Sequence, residues 1–272
     1  MSDPIGQTGK TVELVGKILE VVGENEDTKH AAQSLARSAR TIATTLEVCL
    51  LPFAAITFGY AKAKSYFENE FASDLNKKLE SLPPDSIIEP KALLAAPIVQ
   101  GLGLSIEEPS LKEMYLNLLA STMDSRDPEK AHPSFASIIG QLTPDEAAFI
   151  KGILQVSKMS AVVNLGKKLA GRPGQSSVVR HLISVAKNQE VYWGRDIAFM
   201  LDNIQRLGLV EIGYDAHLTY EKAYDWVEQH SVYIAASQDL AAGEELVIQK
   251  GFMRLTHFGE GFLKAVVEEP TL

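Results

Sequence analysis

The chain has 272 residues, 46% hydrophobic and 22% charged, with a net charge of −9. It carries enough apolar matter for one or two packed cores, which excludes general disorder, and its acidity argues against general polyanion binding. A single cysteine, Cys49, excludes an internal disulfide and a cysteine-rich zinc site, and fits a reducing cytoplasm.

The opening residues hold Gly9-Lys10-Thr11, the end of a phosphate-loop pattern. Pro4 stands where that pattern needs its first glycine, and no strand precedes it, so no nucleotide site is assigned. The first apolar run follows a mixed, charged start, unlike a signal peptide. Val12, Val15, Ile18, Leu19 and Val22 repeat at helical spacing, and a second helix is expected from Thr28. Between Arg40 and Lys62 the only charge is Glu47. Residues 48–61 are uncharged but interrupted by Pro52 and Gly59, and are shorter than the roughly 20 apolar residues of a membrane span. They are expected to form a buried helical hairpin; the alternatives are surface or re-entrant membrane contact, a true span, or contact with a partner. Val48, Leu50, Leu51, Phe53, Ile56 and Phe58 are the candidate contacts.

Residues 62–82 read as one amphipathic helix, with Tyr66, Phe67, Phe71, Leu75 and Leu79 on a shared face. Pro83-Pro84 ends it and divides an N-terminal helical region (1–82) from a central one (83–150). Pro90 pushes Ile88-Glu89 into extended backbone. A helix follows with Leu93, Leu94, Ile98, Leu102 and Leu104 as core, kinked at Pro97. Ser110 is expected to cap the next helix with Glu113 as its capping-box partner. That helix buries Leu111, Met114, Tyr115, Leu118, Leu119 and Met123. After a charged turn at 124–131, His132-Pro133-Ser134 opens a helix bearing Phe135, Ile138, Ile139 and Leu142. Thr143-Pro144-Asp145-Glu146 is a further helix start: a threonine cap, proline in the first turn, and acids at the positive end of the dipole.

The third region, 151–272, opens basic: residues 151–195 carry a net +7, and residues 196–272 a net −8. Lys167, Lys168, Arg172 and Arg180 are the candidate nucleic-acid contacts, in a stretch that Gly171, Pro173 and Gly174 mark as a solvated loop. Ile197, Met200, Leu201, Ile204 and Leu207 form a helix that Gly208 ends, followed by a short strand at 209–212. A second strand, 246–249, is expected to turn at Lys250-Gly251 into a third, 252–255. Thr256 then caps a helix at 258–267. This order resembles a winged-helix module with a small β-hairpin, with an insertion at about 213–245 holding a helix around 220–230. The expected fold class is therefore mainly α. The open face of the would-be recognition helix carries Asp196 and Asp202, which repel phosphate, so nucleic acid is not the favoured partner.

Catalytic chemistry is not legible. Cys49 lies in an apolar run without an adjacent cation, as an inert thiol does. His132 lies close in sequence to Ser121, Asp124 and Ser134, but a capping role accounts for His-Pro-Ser. The other histidines show no metal-binding helical spacing. No catalytic residue, metal ligand or cofactor is assigned, and the chain does not read as an enzyme.

Several short elements stand in a characteristic order. They are Ile88-Glu89-Pro90, Ala96-Pro97-Ile98, the leucine-rich helix 111–121, Met123-Asp124, His132-Pro133-Ser134-Phe135, the run 138–145, and Leu255-Thr256 with Gly259. Together they resemble the abortive infection alpha (Abi-alpha) family over roughly residues 85–265. That resemblance implies a bacterial anti-phage defence setting and brings no catalytic residues with it. The expected role is contact with a protein partner or a second copy of the chain, with peripheral membrane contact through 48–61. The expected place is the cytoplasm or the inner membrane. The alternative is a winged-helix nucleic-acid-binding regulator.

Overall fold

A computed structural model describes residues 57–154, 159–184 and 197–267. The chain forms two units: Met1–Lys151 together with Gly261–Leu272, and Gly152–Glu260.

The first unit is helical. It contains α1 (Thr57–Asn69), α2 (Phe71–Leu79), a 3-10 turn (Pro84–Ser86), α3 (Ala92–Leu104), α4 (Pro109–Thr122), α5 (Ser134–Ile139) and α6 (Pro144–Phe149). The single helix expected over 62–82 breaks at Glu70. The break lets Phe71 meet Tyr66 and Phe67 edge to face, at centroid distances of 6.3 and 5.2 Å, the favoured aromatic geometry. α4 is the central element, packing on α2, α3, α5 and α6. Its predicted apolar face is buried, and so are Asn117, Ser121 and Thr122, because neighbours surround it on nearly every side. Ion pairs tie its rim. Lys112 reaches Asp74 of α2 at 2.7 Å while lying over the Tyr66 ring, and Glu113 binds Lys78 and Lys151.

Two local expectations need correction here. Glu113 is committed to those lysines, and Pro109 already fills the first turn behind Glu108, so Ser110 and Glu113 form no capping box. Leu93 and Leu104, expected in the core, are 78% and 66% exposed at the two ends of α3. The Thr143–Glu146 capping box is present: Glu146 N donates to Thr143 Oγ1, and Thr143 N donates to Glu146 Oε2.

The second unit is built on an antiparallel sheet of four strands. In chain order it contains β1 (Met159–Leu169), β2 (Ser176–Ile183), α7 (Ile197–Arg206), β3 (Val210–Gly213), α8 (Ser231–Gln238), β4 (Glu244–Leu255) and the start of α9 (His257–Val266). The strand order is β2-β1-β4-β3, with β1 and β4 paired from Met159 with Arg254 to Leu169 with Glu244. Ala161, Val163 and Leu182 share a buried cluster with Ala223, Tyr224 and Val227, while α7 packs on β2 and β3.

This sheet overturns the mainly α, winged-helix expectation: the fold is mixed α/β. The stretch read as a solvated loop, 167–180, belongs to β1, β2 and the turn between them. β1 was hard to see because its centre, Ala161-Val162-Val163, is buried on both faces and reads as an apolar run without alternation. The expected hairpin turn at Lys250-Gly251 lies within one continuous strand, β4. Gly251 stands there because a side chain would overlap the Gly213 carbonyl oxygen and the Tyr214 ring. The helix expected around 220–230 is a series of turns, and α8 begins at Ser231.

α9 belongs by its first turn to the second unit and by the rest to the first. Thr256 Oγ1 caps it, accepting from Gly259 N at 2.8 Å and donating to Gly208 O at 2.6 Å. At its far end, Asn117 Nδ2 and Ser121 Oγ donate to the carbonyls of Val266 and Ala265, satisfying groups that a helix end leaves open. Phe262 meets Phe135 edge to face at 5.3 Å.

Candidate functional site

The pairing of β1 with β2 is irregular on both sides of Leu165, and the first irregularity builds a site. Val163 faces Leu182 and Leu165 faces Val179, so Asn164 alone stands opposite both Arg180 and His181. This β-bulge interrupts the alternation of side chains and re-aims them. Arg180 and His181 both reach the same carboxylate, that of Asp202 on α7. His181 adopts φ +53°, a left-handed conformation that costs a side chain-bearing residue about 1–2 kcal/mol. Its amide donates to Asn164 Oδ1 at 3.1 Å, and Asn164 Nδ2 donates to Gln249 Oε1 on β4.

The imidazole is 4% exposed, with partners at both nitrogens. Nδ1 lies 2.8 Å from the Tyr214 hydroxyl, just after β3, and Nε2 lies 3.1 Å from Asp202 Oδ1. The rings of His181 and Tyr214 stack at 5.9 Å. Arg180 Nη2 donates to Asp202 Oδ1 at 3.1 Å and also lies 3.0 Å from His181 Nε2. Burial, aided by the Arg180 charge and opposed by Asp202, holds the imidazole below its ordinary value, so the ring is neutral at neutral pH. Burial also pushes the Tyr214 phenol up to about 12, keeping it protonated. Nδ1 thus faces a hydroxyl that can donate or accept, while Nε2 faces both an accepting carboxylate, Asp202, and a donating guanidinium, Arg180. The result is a buried His181 held between the Tyr214 hydroxyl and the Asp202 carboxylate, which Arg180 shares.

The residues singled out from sequence lie elsewhere or are otherwise engaged. Val48, Leu50, Leu51, Phe53 and Ile56 fall outside the described residues, and Phe58 falls in the first turn of α1. Lys167 donates to the Asp239 carbonyl at 2.7 Å and carboxylate at 2.9 Å, Lys168 pairs with Glu245 at 2.9 Å, and Arg180 is held by Asp202. Arg172 is exposed on the turn between β1 and β2. Successive strand residues point to opposite faces, so Lys167 and Lys168 are not on a shared one. His132 Nδ1 lies 2.7 Å from Ser134 Oγ and accepts from Ser134 N, a local cap. Ser121 and Asp124 are engaged elsewhere, with Ala265 and Arg126.

Sequence reading missed His181 and Tyr214, and took Asp202 only as an acid on an open face. The available signal was the pair Arg180-His181 set between Val178-Val179 and Leu182-Ile183: two polar residues where alternation allows one. Among the described residues, no cluster of three His, Cys, Asp or Glu side chains would hold a metal ion, and no helix is long and apolar enough to cross a membrane.

A family model described as abortive infection alpha matches residues 63–266, from α1 to the end of α9. No curated protein and no solved structure matches the chain.

Proposed function

The chain belongs to the abortive infection alpha family, and from that premise we propose that it is a bacterial anti-phage defence protein acting by contact with protein. The match, which runs through both units, is the observation that carries this reading. Contact with protein is favoured over nucleic acid by the state of the cations. Lys167, Lys168 and Arg180 are paired with Asp239, Glu245 and Asp202 of their own unit. A phosphate backbone would have to displace those carboxylates before any counterion release could drive binding. The uncharged run 48–61 supports a second, peripheral contact at the inner membrane of the cell.

The test is a phage challenge of bacteria producing the full chain, a chain lacking residues 1–56, or neither. The full chain is expected to lower plaque counts, with infected cells dying before they release phage. Plaque counts equal to those of cells without the protein would overturn the defence reading. Protection that survives removal of 1–56 would discard the membrane contact and leave the protein contact. Salt-sensitive DNA binding, lost on charge reversal at Lys167, Lys168, Arg172 and Arg180, would replace it with nucleic-acid recognition.

A further inference from the structure

β4 is paired along its whole length with β1, but β3 covers only its last four residues, from Phe252 opposite Gly213 to Leu255 opposite Val210. Among the described residues, no strand lies beside residues 244–251 on that side. The Gly251 carbonyl is already taken, accepting from Tyr224 Oη at 2.7 Å, so the open edge ends at Lys250. Open edges are usually blunted by proline, by a bulge or by charged side chains, lysine above all; here the charges, Glu244, Glu245 and Lys250, stand at the two ends of the segment. This edge has no proline, its register with β1 is unbroken, and its three central aliphatics, Leu246, Val247 and Ile248, are only half-buried.

Its sequence is self-complementary. Glu244-Glu245-Leu246-Val247-Ile248-Gln249-Lys250, laid antiparallel on a second copy about Val247, sets Glu244 opposite Lys250, Glu245 opposite Gln249, and Leu246 opposite Ile248. Both charged ends then meet opposite charges, the arrangement that stabilises cross-strand pairs. Glu244 uses Oε2 to accept from Ala241 N, which leaves its other oxygen for an incoming lysine. Alternation places Glu244, Leu246, Ile248 and Lys250 on one face. On that face a groove of 410 Å³ runs between Ile248 and Lys250 of β4 and the segment 224–229, with the acids Asp225 and Glu228 also in its lining.

We propose that two copies of this chain join along the β4 edge in a two-fold dimer, extending each four-stranded sheet into one continuous sheet. The self-complementary charge order selects a second copy over an unrelated strand. A two-fold interface must be complementary to itself, and this edge is. The proposal does not depend on the defence role, since a dimer would form with or without phage protection.

The test is sedimentation or light scattering of the full-length chain across a concentration series. The native chain is expected to dimerise. Glu244→Lys alone and Lys250→Glu alone each set like charges together at both ends, and each is expected to weaken the dimer at least about tenfold. Mixing these two variants in equal amounts restores two Lys–Glu pairs and is expected to restore dimers, as is the double variant E244K/K250E. Circular dichroism of each variant verifies its fold, and amide exchange at Val247 in the native chain, slower at high concentration, reads the same edge without substitution. A monomeric native chain would overturn the proposal. So would a dimer indifferent to both single variants, a mixture that stays monomeric, or an edge that captures only a foreign peptide.

Discussion

Gly259 sets two physical effects against each other, and the structure decides between them. It lies in the first turn of α9, where alanine would normally stabilise a helix by about 1 kcal/mol. A side chain there, however, would overlap the Leu209 carbonyl oxygen and stand 2.8 Å from its carbonyl carbon, and backbone cannot swing aside as a side chain can. Moving the turn away would break the bonds of Thr256 Oγ1 with Gly208 O and Gly259 N, at about 1 kcal/mol each. Forced overpacking adds about 1–3 kcal/mol. Set against the helix gain, Gly259→Ala is expected to destabilise the protein by about 2–4 kcal/mol. The assay is urea unfolding followed by circular dichroism, with Gly261→Ala as its control. Gly261 is two residues along the same helix, where a new methyl would meet only Phe135 Cζ at an ordinary 3.8 Å. That variant is expected to gain up to about 1 kcal/mol. If Gly259→Ala is as stable as the native chain, or more so, the close approach of α9 to Leu209 is refuted.

Thr143→Ala removes half of the capping box at α6 and is expected to cost about 1 kcal/mol in the same unfolding assay, while Thr143→Ser should cost far less. The His181 ring, followed by NMR, should titrate with a midpoint below 6.5. Because its folded value is depressed, the stability it contributes is complete above the unfolded value and is lost as pH falls through the folded one. His181→Ala should therefore flatten stability over that acid window. Asp124 is held below the ordinary carboxylate value, first by the side-chain hydrogen bond from Arg126. Its stabilisation should persist above that ordinary value and disappear only as pH falls through the lower folded one, and Arg126→Ala should shift the loss to higher pH.

The helical half of the fold was legible because its signals are local. Leu111, Met114, Leu118 and Leu119 state their buried face by spacing alone, and Thr143 with Glu146 states a helix start by chemistry alone. The sheet was not, because its partners are distant in the chain. Nothing near Ala161-Val162-Val163 says that Lys250 and Gly251 will lie beside them. Lys250-Gly251 imitates a turn because the usual reason for glycine is conformational freedom, whereas here it is room for the Gly213 carbonyl and the Tyr214 ring. The His181 site was hidden for a related cause. A left-handed residue is normally announced by glycine or asparagine, and here a histidine is held in that conformation by Asn164, Asp202 and Tyr214, which come from three separate elements.

The position of β4 between β1 and β3 bears on how the protein is made. A ribosome releases β1 and β2 well before β4, so the hairpin must wait with one edge of β1 and its apolar centre uncovered. The helical unit waits too. Asn117 and Ser121 have no carbonyls to receive their donors, and Phe135 lacks Phe262, until α9 emerges directly behind β4. One short stretch, translated after the rest of both units, closes each of them. A copy missing that stretch would leave two unfinished cores: Asn117 and Ser121 without the carbonyls of α9, and β1 without β4 along one edge.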